Sequence, residues 1–498
     1  MNVNPITRLD YPDPDVIRVE DTYYMVSTTM HFMPGCEILQ SFDLVHWEHA
    51  TYVYETLDHT DAQQLKSGQN IYGQGMWAAS LRYHEGRFYI CFVANDTRKT
   101  YLYTSEKIDG PWKKQLIEGF YHDASLLFDE DGRNYIVYGN DEIWITELNE
   151  DLTAPKKDGL HRLLVSDHKN PELGYEGSHI QKINGYYYIF LIHSLRDRWM
   201  RTEACFYSDS LEGEFMGGDV LCDDRGYCGQ GVAQGGIVDT PDGKWYAMLF
   251  QDSGAVGRIP ILLPVTWKDH FPFFGQNGHV PEEIEVHSTR PGYIYQPLVG
   301  SDDFCNGLLP RWQFNHDPDP RYYHLDALQG TYTITTREVC TELTQAVNTL
   351  TQRMSYPSCA AEVTVDASAL KEGDVAGLCA LQSCYAAVGI TKHHGKYEVL
   401  MLDKKEDGIL DMTEGTVVES HQMDFRLEAD FCNMKDEARC YYRVNKGDWL
   451  PIGTVHKLYF KLDHFTGCRF GLFCYAAEET GGSACFRDFK YYDVDEIS

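Results

Sequence analysis

The first half of the chain repeats one pattern of apolar and polar positions five times. The copies read DPDVIRVEDTYYMV, WAASLRYHEGRFYICF, DASLLFDEDGRNYIVY, EGSHIQKINGYYYIFL and QGGIVDTPDGKWYAMLF. Each is an apolar run, a polar turn and an aromatic run, which is typical of a β-hairpin. Four copies carry a glycine in the same turn register, and glycine supplies the positive φ of a tight hairpin turn. These turn glycines are Gly86, Gly132, Gly185 and Gly243. The pattern therefore predicts five hairpins.

The segments between the hairpins have room for two more strands each. Three of these segments contain similar turns, SFDLVHW at 41–47, SEKIDGPW at 105–112 and SDSLEGEF at 208–215. Five repeated units of four strands predict a five-bladed β-propeller, an architecture that leaves only short sheet edges. The alternative is a sandwich in which the similarity is accidental.

The pattern changes near residue 298. Short alternating strands follow, such as TYTITT at 331–336, AAEVTVD at 360–366 and KYEVLML at 396–402. Alternation without a helical period predicts two packed sheets. We therefore expect an all-β chain, with a five-bladed β-propeller at 1–298 followed by a β-sandwich of jelly-roll type at 299–498.

Composition narrows the range of partners. The 498 residues carry a formal charge of −32, which repels nucleic acid and anionic membranes. No apolar run approaches the roughly 18 residues of a membrane span, and the N-terminus lacks the pattern of a signal peptide. The 15 cysteines include no CxxC pair, so we expect mostly buried thiols and a cytoplasmic location. The oligomeric state stays open.

The first position of the repeat differs in every copy. It holds Asp13, Trp77, Asp123, Glu176 and Gln234. In a propeller the innermost strands surround a channel, so these five side chains should meet at one mouth of it. Three converging carboxylates repel one another, and such a cost indicates a functional site rather than solvated turns.

Two carboxyl groups with different pKa values are what hydrolysis of a glycosidic bond requires. Glu176 follows Leu173 and Tyr175, and partial burial would keep it protonated, so we expect it to be the general acid. Asp13 stands between two prolines that fix the backbone, which suits a base that activates water. Asp123 is then expected to hold the proton and orientation of Glu176.

Other polar residues near these positions have structural interpretations. Asp15 should alternate away from the pocket, and Asp10 is expected to be a turn residue. His122 and His179 stand close to the carboxylates, and strand alternation predicts that both side chains point elsewhere. The segment HDPDPRYY at 316–323 repeats the acid-proline pattern without a following hairpin, so we interpret it as an interdomain loop.

Several of these segments together resemble glycoside hydrolase family 43. They are YPDPDVIRV, MWAASL, HDASLLFDEDG, YEGSHIQKINGYYYI and GVAQGGIVDTPDGKWY. Residues 302–498 are similar to the concanavalin-like sandwich at the C-terminus of β-xylosidase and arabinofuranosidase members. The resemblance implies single-displacement hydrolysis with inversion, with Asp13 as the base, Asp123 as the pKa modulator and Glu176 as the general acid.

The resemblance also implies substrate-binding residues and two departures. Trp77 matches the pocket tryptophan of the family, and Arg258 resembles a sugar-binding arginine. Gln234 stands where many relatives have a histidine associated with calcium in the channel, so it is a candidate for a Ca²⁺ ligand. Xylosidase relatives often have an aromatic residue at the position of Met30, so Met30 and Phe32 are expected to bind the substrate through an altered contact with the sugar. No cofactor is required for the chemistry, and a structural Ca²⁺ stays an open expectation.

The expected function is exo-acting, inverting hydrolysis of oligosaccharides derived from xylan or arabinoxylan. The released sugar would be a terminal β-D-xylose, an α-L-arabinofuranose, or either. One alternative is a catalytically silent, lectin-like propeller that only binds carbohydrate, and another is a hydrolase directed at arabinan. The sandwich would either bind polysaccharide or help to close the pocket.

Overall fold

A computed structural model describes residues 3–413 and 415–493 of the chain. In the first half, the strands in chain order are β1 (Asp15–Val19), β2 (Thr22–Ser27), β3 (Phe32–Met33), β4 (Gly35–Ser41), β5 (Glu48–Tyr54), β6 (Met76–His84), β7 (Arg87–Ala94), β8 (Lys99–Ser105), β9 (Lys113–Ile117), β10 (Ser125–Phe128), β11 (Asn134–Asn140), β12 (Glu142–Leu148), β13 (His161–Ser166), β14 (Glu176–Ile183), β15 (Tyr186–Ser194), β16 (Arg201–Ser208), β17 (Met216–Leu221), β18 (Val232–Asp239), β19 (Trp245–Asp252), β20 (Arg258–Lys268) and β21 (Phe271–Phe274).

These strands form five antiparallel, four-stranded sheets, and the predicted β-propeller is confirmed. Blade 1 contains β1, β2, β4 and β5, and blades 2 to 5 contain β6–β9, β10–β13, β14–β17 and β18–β21. The innermost strands contact one another in a closed ring, β1 to β6, β10, β14, β18 and back to β1. The four predicted turn glycines have φ between 78° and 85°, as a tight hairpin turn requires.

The N-terminal segment lies beside the third strand of blade 5. The backbone amides of Ile6 and Tyr11 donate to the carbonyls of Pro260 and Arg258 in β20. The side chain of Asn4 exchanges two hydrogen bonds with the backbone of the same strand. These bonds satisfy the part of β20 that no strand of its own blade covers.

The second half forms a two-sheet sandwich. Its strands are β22 (Gln313–Asn315), β23 (Tyr323–Asp326), β24 (Thr331–Thr335), β25 (Leu350–Arg353), β26 (Ser358–Asp366), β27 (Asp374–Leu381), β28 (Ala386–His393), β29 (Lys396–Lys404), β30 (Leu410–Met412), β31 (Thr416–Val418), β32 (Gln422–Asp430), β33 (Glu437–Arg443), β34 (Leu450–Lys457), β35 (Arg469–Ala476) and β36 (Ser483–Asp493). One sheet has the order β3-β22-β25-β35-β27-β28-β29-β30, with β31 also on β29, and the other has the order β23-β24-β36-β26-β32-β33-β34. Short 3-10 helices occur at Lys66–Gly68, Gly254–Val256, Leu343–Gln345 and Cys432–Met434.

The two halves share a sheet and a core. β3 belongs to the blade 1 sequence but pairs with β22 of the sandwich. Ala255, Val256 and Ile259 of blade 5 pack in the main hydrophobic core of the sandwich. The segment 316–323 lies between β22 and β23 against the propeller, as predicted for an interdomain loop, because the ring of His316 accepts from the backbone amide of Ile71.

Two further expectations can be compared with the described residues. Most of the cysteines are buried and all are free. Across the described ranges, no helix has the length and apolar character needed to cross a bilayer.

The expectation that Asp10 is a turn residue is wrong. Its side chain is buried, and its carboxylate accepts hydrogen bonds from the backbone amides of Arg258 and Gly467. The residue therefore ties the start of the propeller to a loop of the sandwich.

Candidate active site

A cavity of about 790 Å³ opens at one mouth of the propeller, beneath the sandwich. The propeller side includes Trp77, His122, Asn140, Glu176 and Trp199. The sandwich side includes Met434, Asp436, Tyr459, Phe460 and Phe465. The sandwich therefore supplies part of the pocket wall, which agrees with the interpretation of it as a domain that helps to close the pocket.

Three of the five residues at the first position of the repeat have a left-handed backbone conformation. Asp13, Asp123 and Gln234 have φ of 53°, 48° and 59°. Non-glycine residues adopt this region at a cost, and such strain is concentrated at functional sites. Asp13 and Asp123 thus lie two residues before β1 and β10 begin, rather than being the first strand residues that the repeat predicted.

β-Bulges follow the repeat position in the other blades. The strand register shifts between Trp77 and Ser80, and again between Glu176 and His179. A bulge adds a residue to one strand and re-aims its side chains. Each blade therefore departs from regular strand geometry where its repeat position meets the channel mouth.

Asp13 is buried and held at both carboxylate oxygens. Thr28 Oγ1 donates to Oδ2 at 2.6 Å, and Arg258 Nη1 donates to Oδ1 at 3.0 Å. The guanidinium is itself buried, with its side chain 3% exposed. The ion pair and the hydrogen bond fix the direction of the Asp13 carboxylate.

Glu176 lies in a cluster with Asn140 of blade 3 and with His122, which lies in the segment before that blade. Asn140 Nδ2 donates to Glu176 Oε2 at 2.6 Å, and His122 Nε2 lies 3.3 Å from the same oxygen. His122 Nε2 is also 3.6 Å from Asp123 Oδ2. Asp123 accepts a hydrogen bond from the backbone amide of Gly177, so it fixes the backbone beside Glu176.

The charges in this cluster shift the pKa values of its members. Burial raises the pKa of Asp123 to about 7, and the charges of Glu176 and Asp13 add to that effect against the opposing charge of His122. Burial opposes the charged form of His122, but Asp123, Glu176 and Asp13 outweigh it and raise the pKa of His122 to about 9. The three carboxylates and the imidazole are therefore one electrostatic unit.

His122 and Phe465 belong to this site, although the sequence did not assign them to it. Strand alternation predicted that His122 points away, but Asp123 lies outside β10 in a left-handed turn, so alternation does not apply. The ring of Phe465 lies 5.4 Å from the Trp77 ring and 4.1 Å from the Arg258 guanidinium. No repeat or motif marked Phe465, because it comes from a loop of the other domain.

The substrate-binding predictions have mixed outcomes. Trp77 lines the cavity as expected. Arg258 lies behind Phe465 and pairs with Asp13, so it borders the site from a buried position. Gln234 is also buried, and its side chain packs against Gly177.

The structure contradicts the prediction that Met30 and Phe32 contact the substrate. Both side chains are at most 2% exposed, and neither lines the cavity. Phe32 lies in β3, which pairs with β22 in the sandwich sheet. Its ring lies 3.4 Å from the Arg469 guanidinium. Met30 pairs through its backbone with Met76. The pairing of β3 with another domain could not be read from local sequence.

Asp15 and His179 lie in the channel, away from the carboxylate cluster. Asp15 Oδ1 is 3.1 Å from His179 Nδ1, and Asp15 Oδ2 accepts from Arg82 Nη1 at 2.7 Å. Arg82 also donates to Ser125 Oγ and to the carbonyl oxygens of Leu126 and Ile180. This network joins four blades, which confirms the structural interpretation of Asp15 and the predicted orientation of His179.

Comparison with known proteins decides the family. The pattern described as "Glycosyl hydrolases family 43" matches residues 3–272, and "Beta xylosidase C-terminal Concanavalin A-like domain" matches residues 301–492. The chain belongs to glycosyl hydrolase family 43. It is therefore a glycosidase, and the resemblance drawn from the repeated motifs is confirmed.

Relatives of this family 43 chain span both of its halves. A bifunctional GH43-CE protein of Bacteroides eggerthii is 42% identical with a TM-score of 0.93, over 100% of this chain and 64% of that chain. The family 43 chain thus spans less than two thirds of that protein. A protein named beta-xylosidase from Formosa agariphila is 26% identical over 99% of this chain and 89% of its own length. A protein named xylosidase/arabinosidase from Butyrivibrio fibrisolvens is 24% identical over 99% of both.

The residues around Gln234 do not fit the calcium ion that some family 43 enzymes hold. Ca²⁺ takes about six to eight oxygen ligands. The side chain of Gln234 offers one amide oxygen. The nearby Glu203 Oε2 already accepts a hydrogen bond from the backbone amide of Gln234. The channel carboxylate of Asp15 is engaged by Arg82 and His179, so a guanidinium already supplies positive charge there. No step of the chemistry is therefore routed through calcium.

Proposed function

We propose that this chain is an exo-acting, inverting glycosidase that removes a terminal β-D-xylose or α-L-arabinofuranose from xylan-derived oligosaccharides. The observation that carries the proposal is the combination of Glu176, which lines the cavity, with the buried Asp13, whose two carboxylate oxygens are both held by hydrogen bonds. The charge of Asp13 acts on both His122 and Asp123, which are the neighbours of Glu176. Two carboxyl groups near one sugar-sized space are the requirement of this reaction.

Asp13 acts as the general base. Its bonds to Arg258 and Thr28 fix the direction of the carboxylate. A water molecule between Asp13 and the anomeric carbon gives its proton to Asp13 as its oxygen attacks from the face opposite the leaving group. One displacement of this kind inverts the anomeric configuration.

Glu176 acts as the general acid. Its Oε2 receives the Asn140 amide and faces His122, so Oε1 is the oxygen left to carry the proton to the glycosidic oxygen. Asp123 holds the backbone at Gly177 and thereby the orientation of the acid. A positioned proton donor of this kind contributes roughly 10²–10⁴ to the rate.

The pocket walls favour removal of a terminal sugar. Aromatic side chains from both domains, Trp77 and Phe465, approach each other across the site. The cavity of about 790 Å³ lies within the roughly 300–1,000 Å³ range of small-molecule pockets, which suits the end of an oligosaccharide better than the middle of a long chain. The names of two relatives, a beta-xylosidase and a xylosidase/arabinosidase, support the choice of sugars.

The test uses nitrophenyl β-D-xyloside and nitrophenyl α-L-arabinofuranoside. We expect release of nitrophenol from at least one of them, and the ratio of the rates identifies the preferred sugar. Proton NMR of the first-formed product should show the anomer opposite to that of the substrate, whereas a retained anomer would overturn inversion. Binding of xylo-oligosaccharides without release from any of these substrates would favour the lectin-like alternative.

A further inference from the structure

We propose that His122 is a positioning residue whose imidazole stabilises the carboxylate that Glu176 becomes when it gives its proton to the leaving sugar. The inference rests on the proposed function and goes beyond it, because the acid/base pair alone assigns no role to His122. The residue acts through Glu176 and is not itself the proton donor.

The geometry places the imidazole between two carboxyl groups. The reactive atoms of His122, Asp123 and Glu176 all lie within 4.8 Å of one another. His122 Nε2 lies 3.3 Å from Glu176 Oε2, and the ring also lines the cavity. A hydrogen on Nε2 can therefore interact with either carboxylate without movement of the backbone.

The charged groups that act on the His122 ring are carboxylates from three segments of the chain. Asp123 lies next to it in sequence, Glu176 faces it from β14, and the charge of Asp13 acts on it from the segment before β1. Asn140 from β11 is a neutral donor to Glu176, and Trp77 from β6 lies 6.2 Å away, ring to ring. These charges raise the pKa of His122 to about 9, so the imidazolium persists at neutral pH.

A neighbouring cation favours the ionised form of a carboxyl group. When Glu176 gives its proton to the glycosidic oxygen, the C–O bond to the leaving sugar breaks, and the new carboxylate forms beside the His122 imidazolium. His122 keeps its own proton in this step, and Glu176 regains one from water before the next turnover. The cation thus stabilises the product side of the proton transfer.

The consequence depends on the leaving group. A sugar alkoxide needs full protonation, whereas 2,4-dinitrophenolate leaves without it. We therefore expect His122→Asn to lower kcat on xylobiose or arabinobiose by about tenfold or more, up to the roughly 10²–10⁴ of a lost proton transfer. On the matching dinitrophenyl glycoside the rate should stay within about twofold, since that substrate makes no use of the acid.

The pH profile gives a second readout. A cation beside the general acid favours its ionised form, so in His122→Asn, which lacks that cation, the alkaline limb of kcat should move to higher pH. His122→Lys restores a positive charge and should move the limb back toward the wild-type position. His324→Asn in β23 is the matched control, because His324 is exposed on the sandwich, and its profile should equal that of the wild type.

Each outcome decides the proposal. Equal losses on the disaccharide and the dinitrophenyl substrate, or an alkaline limb that stays or moves to lower pH, would overturn it. If His122→Asn does not fold, ¹⁵N NMR of the wild-type histidines replaces the variant, and a His122 ring that loses its proton below pH 7 would equally refute the inference. A wild-type protein inactive on all these substrates would instead contradict the proposed function, so the two failures are distinguishable.

Discussion

Asp10 and Gly467 are joined by a hydrogen bond of 2.8 Å from the Gly467 backbone amide to Asp10 Oδ2. The other oxygen of Asp10 accepts from the backbone amide of Arg258 at the same distance. One buried carboxylate therefore connects the first propeller segment, the strand that begins with Arg258 and the sandwich loop that carries Phe465. Docking of the two domains and the shape of the pocket depend on a common set of contacts.

The first prediction follows from this carboxylate. In Asp10→Asn one backbone amide would face an NH₂ group in place of an oxygen, which leaves a buried donor unsatisfied. We expect a loss of about 1–3 kcal/mol in the free energy of unfolding, measured by urea denaturation. Asp209→Asn, at an exposed aspartate, is the control and should unfold at the wild-type midpoint. An unchanged midpoint in Asp10→Asn would contradict the role of this contact.

Phe465 provides a test of the sandwich as a wall of the active site. Phe465→Ala removes the ring that contacts Arg258 and Trp77, and it opens a path for water to the buried ion pair of Arg258 with Asp13. We expect kcat/KM on aryl glycosides to fall by about tenfold, since loss of a well-packed aromatic contact and of water exclusion costs about 1–2 kcal/mol.

The matched control for Phe465→Ala is Phe273→Ala, because Phe273 is half exposed in the last strand of blade 5. This variant should retain full activity. Activity of Phe465→Ala equal to that of the wild type would mean that the sandwich only supports the fold.

The parts of the site that the sequence predicts are those governed by local rules. Glu176 is the first residue of its hairpin, and four of the five hairpins share a glycine in one turn register, so its position at the channel mouth follows from the repeat. The role of His122 was not predicted, because the left-handed turn at Asp123 interrupts the strand alternation on which the predicted orientation depended. Phe32 was misassigned because β3 pairs with β22, and pairing between distant segments leaves no periodic signal in either of them.

The third prediction concerns the base. Asp13→Asn keeps the size of the side chain and its place beside Arg258, but an amide cannot accept a proton from water. We expect kcat to fall by about 10²–10⁴ on every substrate, including dinitrophenyl glycosides, because the attacking water needs the base whatever the leaving group.

This independence of the leaving group separates the base from the acid. Glu176→Gln should lose activity on disaccharides but retain far more of it on dinitrophenyl glycosides. Circular dichroism serves as the folding control for both variants. A leaving-group dependence in Asp13→Asn like that of Glu176→Gln would show that the two roles have been exchanged.

The last prediction concerns three histidines buried where the domains meet. The ring of His31 lies 4.8 Å from that of His316 and 5.8 Å from that of His464, and Tyr72 stacks on His464 at 3.9 Å. Burial lowers the pKa of all three, well below the usual range for His31 and His316 and to about 3 for His464. Histidine in an unfolded chain titrates near 6.5, so below about that pH the unfolded state binds protons that the folded state excludes. Stability contributed by these rings is present above pH 6.5 and is lost as the pH falls, by up to about 4 kcal/mol per pH unit for three groups.

His31→Phe isolates this effect from the other groups that titrate in acid. Phenylalanine fills a similar space among Tyr72 and His316 and takes up no proton, so the slope of unfolding free energy against pH should fall by about 1.4 kcal/mol per unit between pH 6 and pH 5. Urea denaturation at several pH values measures the slope, and the exposed His324→Phe should leave it unchanged because the ring of His324 is open to solvent in the folded state as well. A slope in His31→Phe equal to that of the wild type would show that His31 already accepts a proton in the folded protein.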